Sequence, residues 1–323
     1  MALDNPRQID PSGAYTPPPP AAQWIFEDQI SANRAGTIWL MFFFSLFIVA
    51  AVWAAGYALG SPEYAIILAI AAAVVAFVLS YASYYNSDKL VLSLSRARPV
   101  TQEEYPFLVH TLEGLCLAAG LYTIPKLYII EDSAPNAFAT GRDPAHSAIA
   151  VTTGLVEKLD RYQLEGVLAH ELSHVVNRDI LLSTVAAVLV GMIVLLSDWV
   201  MRSLLYGGRR RGGSREGGHP ILLLIALLAL FLSPIIAQVM RLAVSRTREY
   251  LADAHAIKLT RYPDGLAGAL AVIGGDREPL EVANKATAHL YIANPLKEHA
   301  SWLNNLFSTH PPIAERIARL RQM

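Results

Sequence analysis

The chain has 323 residues, a formal net charge of −1, 54% hydrophobic residues and only 16% charged ones. Soluble domains carry about a quarter charged residues, so this chain has too little polar surface to be soluble throughout. One cysteine, Cys116, excludes an internal disulfide and gives no sign of an oxidising compartment.

Taken in chain order, residues 1–34 contain "YTPPPP", which favours polyproline II over packing and predicts a disordered tail or spacer. Between Arg34 and Glu63, and again between Glu63 and Asp88, no residue is formally charged. About 20 apolar residues span a bilayer core, so residues 35–86 read as a transmembrane helical hairpin around the short turn "GSPE". The first run is too long and too far from the start for a signal peptide. Next, "TQEEYPFLVHTLEGLCLAAGL" predicts an amphipathic helix capped by its Thr. The β-rich runs "KLYII" and "SAIAVTT" predict two paired strands, with "KLYII" at the edge. From Arg161, the spacing of Leu164, Val167, Leu168, Leu172 and Val175 is helical, and this helix is expected to continue into the next apolar run.

That run, Ile180 to Met201, and a second, Gly217 to Met240, form another hydrophobic hairpin over 180–240, joined by the Gly/Arg-rich loop 202–218. The three adjacent arginines of the loop stand without a second basic or aromatic cluster, so a lipid-flanking connector is preferred to a nucleic-acid site. About four crossings place residues 87–179 and 241–323 on one side of the membrane. Eight positive residues flank the spans on that side (Arg34, Lys89, Arg96, Arg98, Arg178, Arg241, Arg246 and Arg248), against five on the other, which points it to the cytoplasm.

The chemistry lies in "VLAHELSHVVNRD", residues 167–179, which contains His170-Glu171-x-x-His174. A chance match has an expectation of roughly 0.01 at these residue frequencies. On a helix the two imidazoles lie one turn apart on one face and can share a metal ion, while Glu171 projects beside them, able to take a proton from an attacking water. A third ligand is needed. The stretch "SRTREYLADAHA" offers Glu249, with Asp253 one turn on to support a ligand histidine; read alone, the two are equally a solvated acidic pair answering Arg246 and Arg248. The other histidines (His110, His146, His219, His255, His289 and His299) lack ligand spacing and read as surface or packing residues.

Four ordered stretches resemble the HtpX-like membrane zinc metallopeptidases, relatives of the CAAX prenyl endopeptidases. They are "APNAFATG" at 134–141, residues 151–179, "SRTREYLADAHA" at 245–256 and "LFSTHPPIAERIARL" at 306–320. The resemblance covers roughly residues 35–323 and leaves out the Pro-rich tail. It implies that one zinc ion per chain is held by His170, His174 and Glu249, with Glu171 as general base. It further implies that Asn136 holds substrate backbone, that His310 stabilises the oxyanion, and that Asp253 and Arg316 support the ligands.

The expected fold is a mainly α membrane protein: about four transmembrane helices carrying a helical zincin-type core, with a small β-sheet, built from 87–179 and 241–323. The expected function is an integral, multi-pass endopeptidase of the cell inner membrane with its catalytic domain in the cytoplasm. Its partners would be the lipid bilayer and polypeptide substrates, in stress-responsive quality control of misfolded membrane proteins. The alternatives are a site-specific processing protease of the prenyl-endopeptidase type, and a non-catalytic membrane scaffold with a vestigial zinc site.

Overall fold

A computed structural model describes residues 21–58, 62–189, 191, 245–283, 287–295 and 311–323. Helices α1 (Ala21–Ala58) and α2 (Pro62–Leu94) form the first hairpin. Within them Ser31–Ala54 and Glu63–Leu94 are long and apolar enough to cross a membrane, with mean hydropathies of 2.3 and 2.6. Their large apolar side chains, among them Trp39, Phe43, Ile67 and Phe77, face outward, as a lipid-facing surface requires. The helices approach closely at Gly56, where a Cβ would come within 2.7 Å of the Ala65 Cα. Among the described residues these are the two candidate spans. Of the expected Pro-rich tail, residues 1–20 lie outside the described residues, as do the loop 202–218 and most of the second hydrophobic pair, whereas residues 21–34 form the start of helix α1.

Beyond α2 the chain enters a four-stranded sheet of order β1-β2-β4-β3, from Arg98–Pro99, Lys126–Ile130, Ala137–Asp143 and His146–Thr152. Strands β2 and β4, the two expected from sequence, pair in parallel. Strand β3 carries no strand signal, because "AFATGRD" is alanine-rich and bracketed by Asn, Asp and Pro, which read as turn signals. It folds back antiparallel on β4, and Gly141, at φ +138°, lies so close to His146 that no Cβ would fit. "KLYII", paired by β1 on one side and β4 on the other, is therefore not an edge; the edges are β1 and β3. The outer side of β3 is met by protein: Ile292 N–H donates to Ala137 O (2.9 Å), and Gly141 N–H donates to Thr184 Oγ1 (3.4 Å).

Helix α3 (Pro106–Ala118) begins five residues after the expected Thr cap. Pro106 suits the first helical turn and keeps Tyr105 out of the helical region, so Thr101–Glu104 forms a turn instead. A short α4 (Thr153–Lys158) leads to α5 (Arg161–Asn177), opened by a capping box in which Asp160 and Gln163 bond each other's backbone N–H groups. Leu164, Val167, Leu168, Leu172 and Val175 are all buried, so α5 is the central rod of the core. It does not continue into the next apolar run. Arg178 takes a left-handed conformation (φ +55°), and helix α6 (Ile180–Leu189) leaves at 89°. Helices α7 (Arg246–Thr260), α8 (Pro263–Gly275) and α9 (Ile313–Leu320), with a 3₁₀ turn at Ala288–Leu290, complete the core.

Gly166 marks the tightest crossing of α5, since a Cβ there would lie 2.7 Å from the Leu266 backbone N. Alanine favours a helix interior by about 1 kcal/mol over glycine. Here the obstacle is backbone, so overpacking outweighs propensity. Gly166→Ala is expected to destabilise the protein by about 1–3 kcal/mol, read as a lowered thermal midpoint in detergent; an unchanged or higher midpoint contradicts the crossing.

Candidate active site

Helix α5 presents His170, Glu171 and His174 to α7, which presents Glu249 and Asp253 one turn apart. The ring Nε2 atoms of His170 and His174 are 3.3 Å apart. The Glu249 carboxylate lies 3.6 Å from His174 Nε2 and 3.8 Å from His170 Nε2. One ligand atom from each of these three residues falls within 4.8 Å of the others, and no other such group occurs among the described residues.

Both imidazoles are oriented from behind. His170 Nδ1 is 3.0 Å from Asp253 Oδ1, and His174 Nδ1 is 3.0 Å from Asp179 Oδ2. An ionised carboxylate only accepts, so each Nδ1 is the protonated nitrogen and each Nε2 lone pair points into the space shared with Glu249. Zinc bonds imidazole nitrogen at 2.0–2.1 Å, and tetrahedral angles then set two such nitrogens about 3.3 Å apart. The donor set, two nitrogens and one carboxylate, fits zinc.

Electrostatics point the same way. Glu171, Asp179, Glu249 and Asp253 are all buried within one site. Burial alone would lower the His174 pKa, yet Asp179, Glu249 and Glu171 together carry it up to about 10. The field at the His174 ring thus favours a positive charge, whether a proton or a metal dication. His170 is held below its usual range by burial and by the Arg316 guanidinium. Glu171 is pushed up to about 7 by burial and, further down the order of causes, by Glu249; the Ala139 N–H bonds its carboxylate and works against that rise. This is the range a general base needs near neutrality.

The fully buried Arg316 of α9 closes the site. It donates to both Asp253 oxygens (2.9 and 2.7 Å) and to Ile292 O (3.2 Å), and lies 3.4 Å from Glu249 Oε2. Burial would raise the Asp253 pKa, but Arg316 and His170 outweigh it and hold that carboxyl below its ordinary value.

The structure thus brings together His170, Glu171, His174, Glu249, Asp253 and Arg316. Asn136 stands apart: its side chain donates to Ala293 O (3.1 Å) and accepts from Ala137 N–H (3.1 Å), clamping the protein's own backbone. His310 lies outside the described residues. Two residues that the motifs do not single out also line the cavity beside the histidines: Asp179, and His289, whose Nε2 donates to Ser183 O (3.1 Å). Asp179 follows the motif directly, but its role depends on the chain reversal at Arg178. His289 carries no spacing signal, because only the fold brings the Ala288–Leu290 turn to α5.

Two outcomes are expected. Arg316→Met leaves Asp253 buried without its cation and should destabilise the protein by about 3–5 kcal/mol, measured by unfolding in detergent. In metal-stripped protein the raised Glu171 pKa means that the folded state binds this proton more tightly than the unfolded state. Its stabilising effect is full below about pH 4.5 and is lost as pH rises to about 7. Glu171→Gln removes that dependence, so the variant should gain on wild type by roughly 3 kcal/mol between pH 4.5 and 7; parallel stability curves would refute it.

Comparison with known proteins identifies the family. Peptidase family M48 matches residues 106–323. A "Protease HtpX homolog" of Dictyoglomus thermophilum is 46% identical over 302 residues, covering 93% of this chain and 95% of that protein. Another from Tropheryma whipplei is 43% identical, covering 91% and 97%. Among solved structures, S. mikatae Ste24p aligns with 93% of this chain and 67% of its own, at a TM-score of 0.45 and 22% identity. With two helices built to cross a membrane and a match over more than half its length, the chain is a membrane protein that belongs to the M48 metallopeptidase family.

Proposed function

We propose that the protein is a zinc-dependent endopeptidase that hydrolyses peptide bonds beside the membrane, with one zinc held by His170, His174 and Glu249. The observation that carries this reading is the convergence of two Nε2 lone pairs and one carboxylate next to a buried glutamate whose pKa is raised to about 7. Zinc in this position supplies Lewis acidity, making water a nucleophile near neutral pH and polarising a carbonyl. Glu171 takes the proton from the attacking water and passes it to the departing amine. Asp253, fixed by Arg316, keeps the His170 ring in register. His310, by resemblance, donates to the developing oxyanion. Enclosure by α5, α6, α7 and the Ala288–Leu290 turn keeps bulk water away from these groups.

Substrate is read as extended polypeptide aligned along β3, the strand beside α5, since pairing through backbone makes cleavage depend on unfolding more than on side chains. Such a strand would exchange with the Ile292 and Thr184 contacts on that edge. Asn136, in the same exchange, would pass from Ala293 to substrate backbone. The two spans hold this core at a bilayer, where misfolded membrane proteins would be the substrates. The excess of positive loop residues on its side supports a cytoplasmic orientation of this core, at a cell inner membrane.

The test is proteolysis of an unfolded casein-like substrate by detergent-purified, zinc-restored protein, with metal content assayed in parallel. Glu171→Gln is expected to retain zinc and lose cleavage by at least about 100-fold, the lower end of a general base's contribution. His174→Ala and Glu249→Gln are expected to lose zinc itself. A wild type that takes up no zinc, or an active Glu171→Gln, would sink the reading. Zinc binding by both proteins with cleavage by neither would favour the scaffold.

A further inference from the structure

We propose that Asp179 is the positioning residue for His174, tying this metal ligand to the start of α6. The inference rests on the metal site proposed above and extends it. The carboxylate lies 3.1 and 3.0 Å from His174 Nδ1 through its two oxygens, and its side chain is only 5% exposed. It reaches this place because the left-handed turn at Arg178 ends α5 and folds the next residue back beneath the ring. An unbroken helix would put position 179 more than a turn beyond His174, on a different face.

The arrangement mirrors that of His170. Asp253 takes the Nδ1 proton there and is steadied by Arg316. Asp179 accepts from the Nδ1–H of His174, and Arg248, on the wall of the same cavity, feels the charges of both Asp179 and Glu249. Each ligand histidine therefore has its own carboxylate, which fixes the tautomer, directs Nε2 to the ion and raises its basicity.

Asp179 also immediately precedes α6 and bonds its first turn. Its backbone carbonyl accepts from Ser183 N–H (3.4 Å), and one residue further Thr184 bonds β3 through Thr140 Oγ1 and Gly141 N–H. The side chain that orients the ligand is thus anchored by the helix that also closes the β3 edge. A purely structural role would hold α6 without affecting the metal. Thr184→Val separates the two, because it weakens the α6–β3 tie and leaves Asp179 in place.

The experiment compares zinc affinity, by chelator competition, of the full chain in detergent as wild type, Asp179→Ala, Asp179→Asn and Thr184→Val. Asp179→Ala is expected to bind zinc about 10–100-fold more weakly. Asp179→Asn, which keeps an acceptor oxygen, should recover part of the loss, and Thr184→Val should stay within about twofold of wild type. If Asp179→Ala does not fold, Asp179→Asn against wild type carries the comparison. Equal affinity of wild type and the Asp179 variants overturns the inference alone, as does an equal loss in Thr184→Val. A wild type without stoichiometric zinc overturns the underlying metal site and the inference with it.

Discussion

Four carboxylates, two imidazoles and two guanidinium groups crowd around one turn of α5, and the rest of the core is arranged to make that tolerable. Burying one ion without compensation costs several kcal/mol. Here Arg316 grips Asp253, Asp253 grips His170, and Asp179 grips His174. The hydrophobic cluster of α3, α5, α8 and the inner sheet face supplies the apolar burial that keeps the opposite side of α5 fixed. Without that packing, the polar face would relax into water and the Nε2 atoms would lose their common direction.

Much of this arrangement is legible in the amino-acid sequence. Helix α5 is marked by its apolar period and by the Asp160 and Gln163 that open it, and the His170, Glu171 and His174 geometry follows from helical spacing alone. Glu249 stands out as a third ligand only beside the His170-Glu171-x-x-His174 motif and the family resemblance, since its own stretch reads equally as a solvated acidic pair. What local sequence does not convey are conformations that depend on contacts distant in the chain. Strand β3 is made of residues with weak β preference and forms because β4 and α5 flank it. Asp179 looks like any acid after a helix until the reversal at Arg178 is known. The resemblance ties Asn136 to substrate, yet its amide is engaged by Ala293.

The helix that ends at Asn177 shows a local choice overriding a hydropathy pattern. Apolar residues continue through Ile180 and beyond, so composition favours one long helix. The asparagine, arginine and aspartate between the two runs instead give a left-handed residue and an 89° turn. The break separates a rod built for the protein core from a helix whose residues, the buried Thr184 and His289's partner Ser183 among them, serve the sheet edge and cavity wall. A continuous helix would have placed neither Asp179 behind His174 nor Thr184 beside β3.

The proposed metal site would draw its parts from widely separated stretches: two ligands and the base from α5, the third ligand from α7, and the arginine from α9. During synthesis these appear in that order, with the whole stretch from α6 to α7 emerging between the first ligands and the third. The growing chain therefore carries an incomplete ligand set until α7 has emerged, and an uncompensated Asp253 until α9 has followed. Under the proposed function, order of synthesis would act as a timer: the site cannot assemble before α9 has followed α7, so a chain still lacking these helices would not cleave unfolded polypeptide.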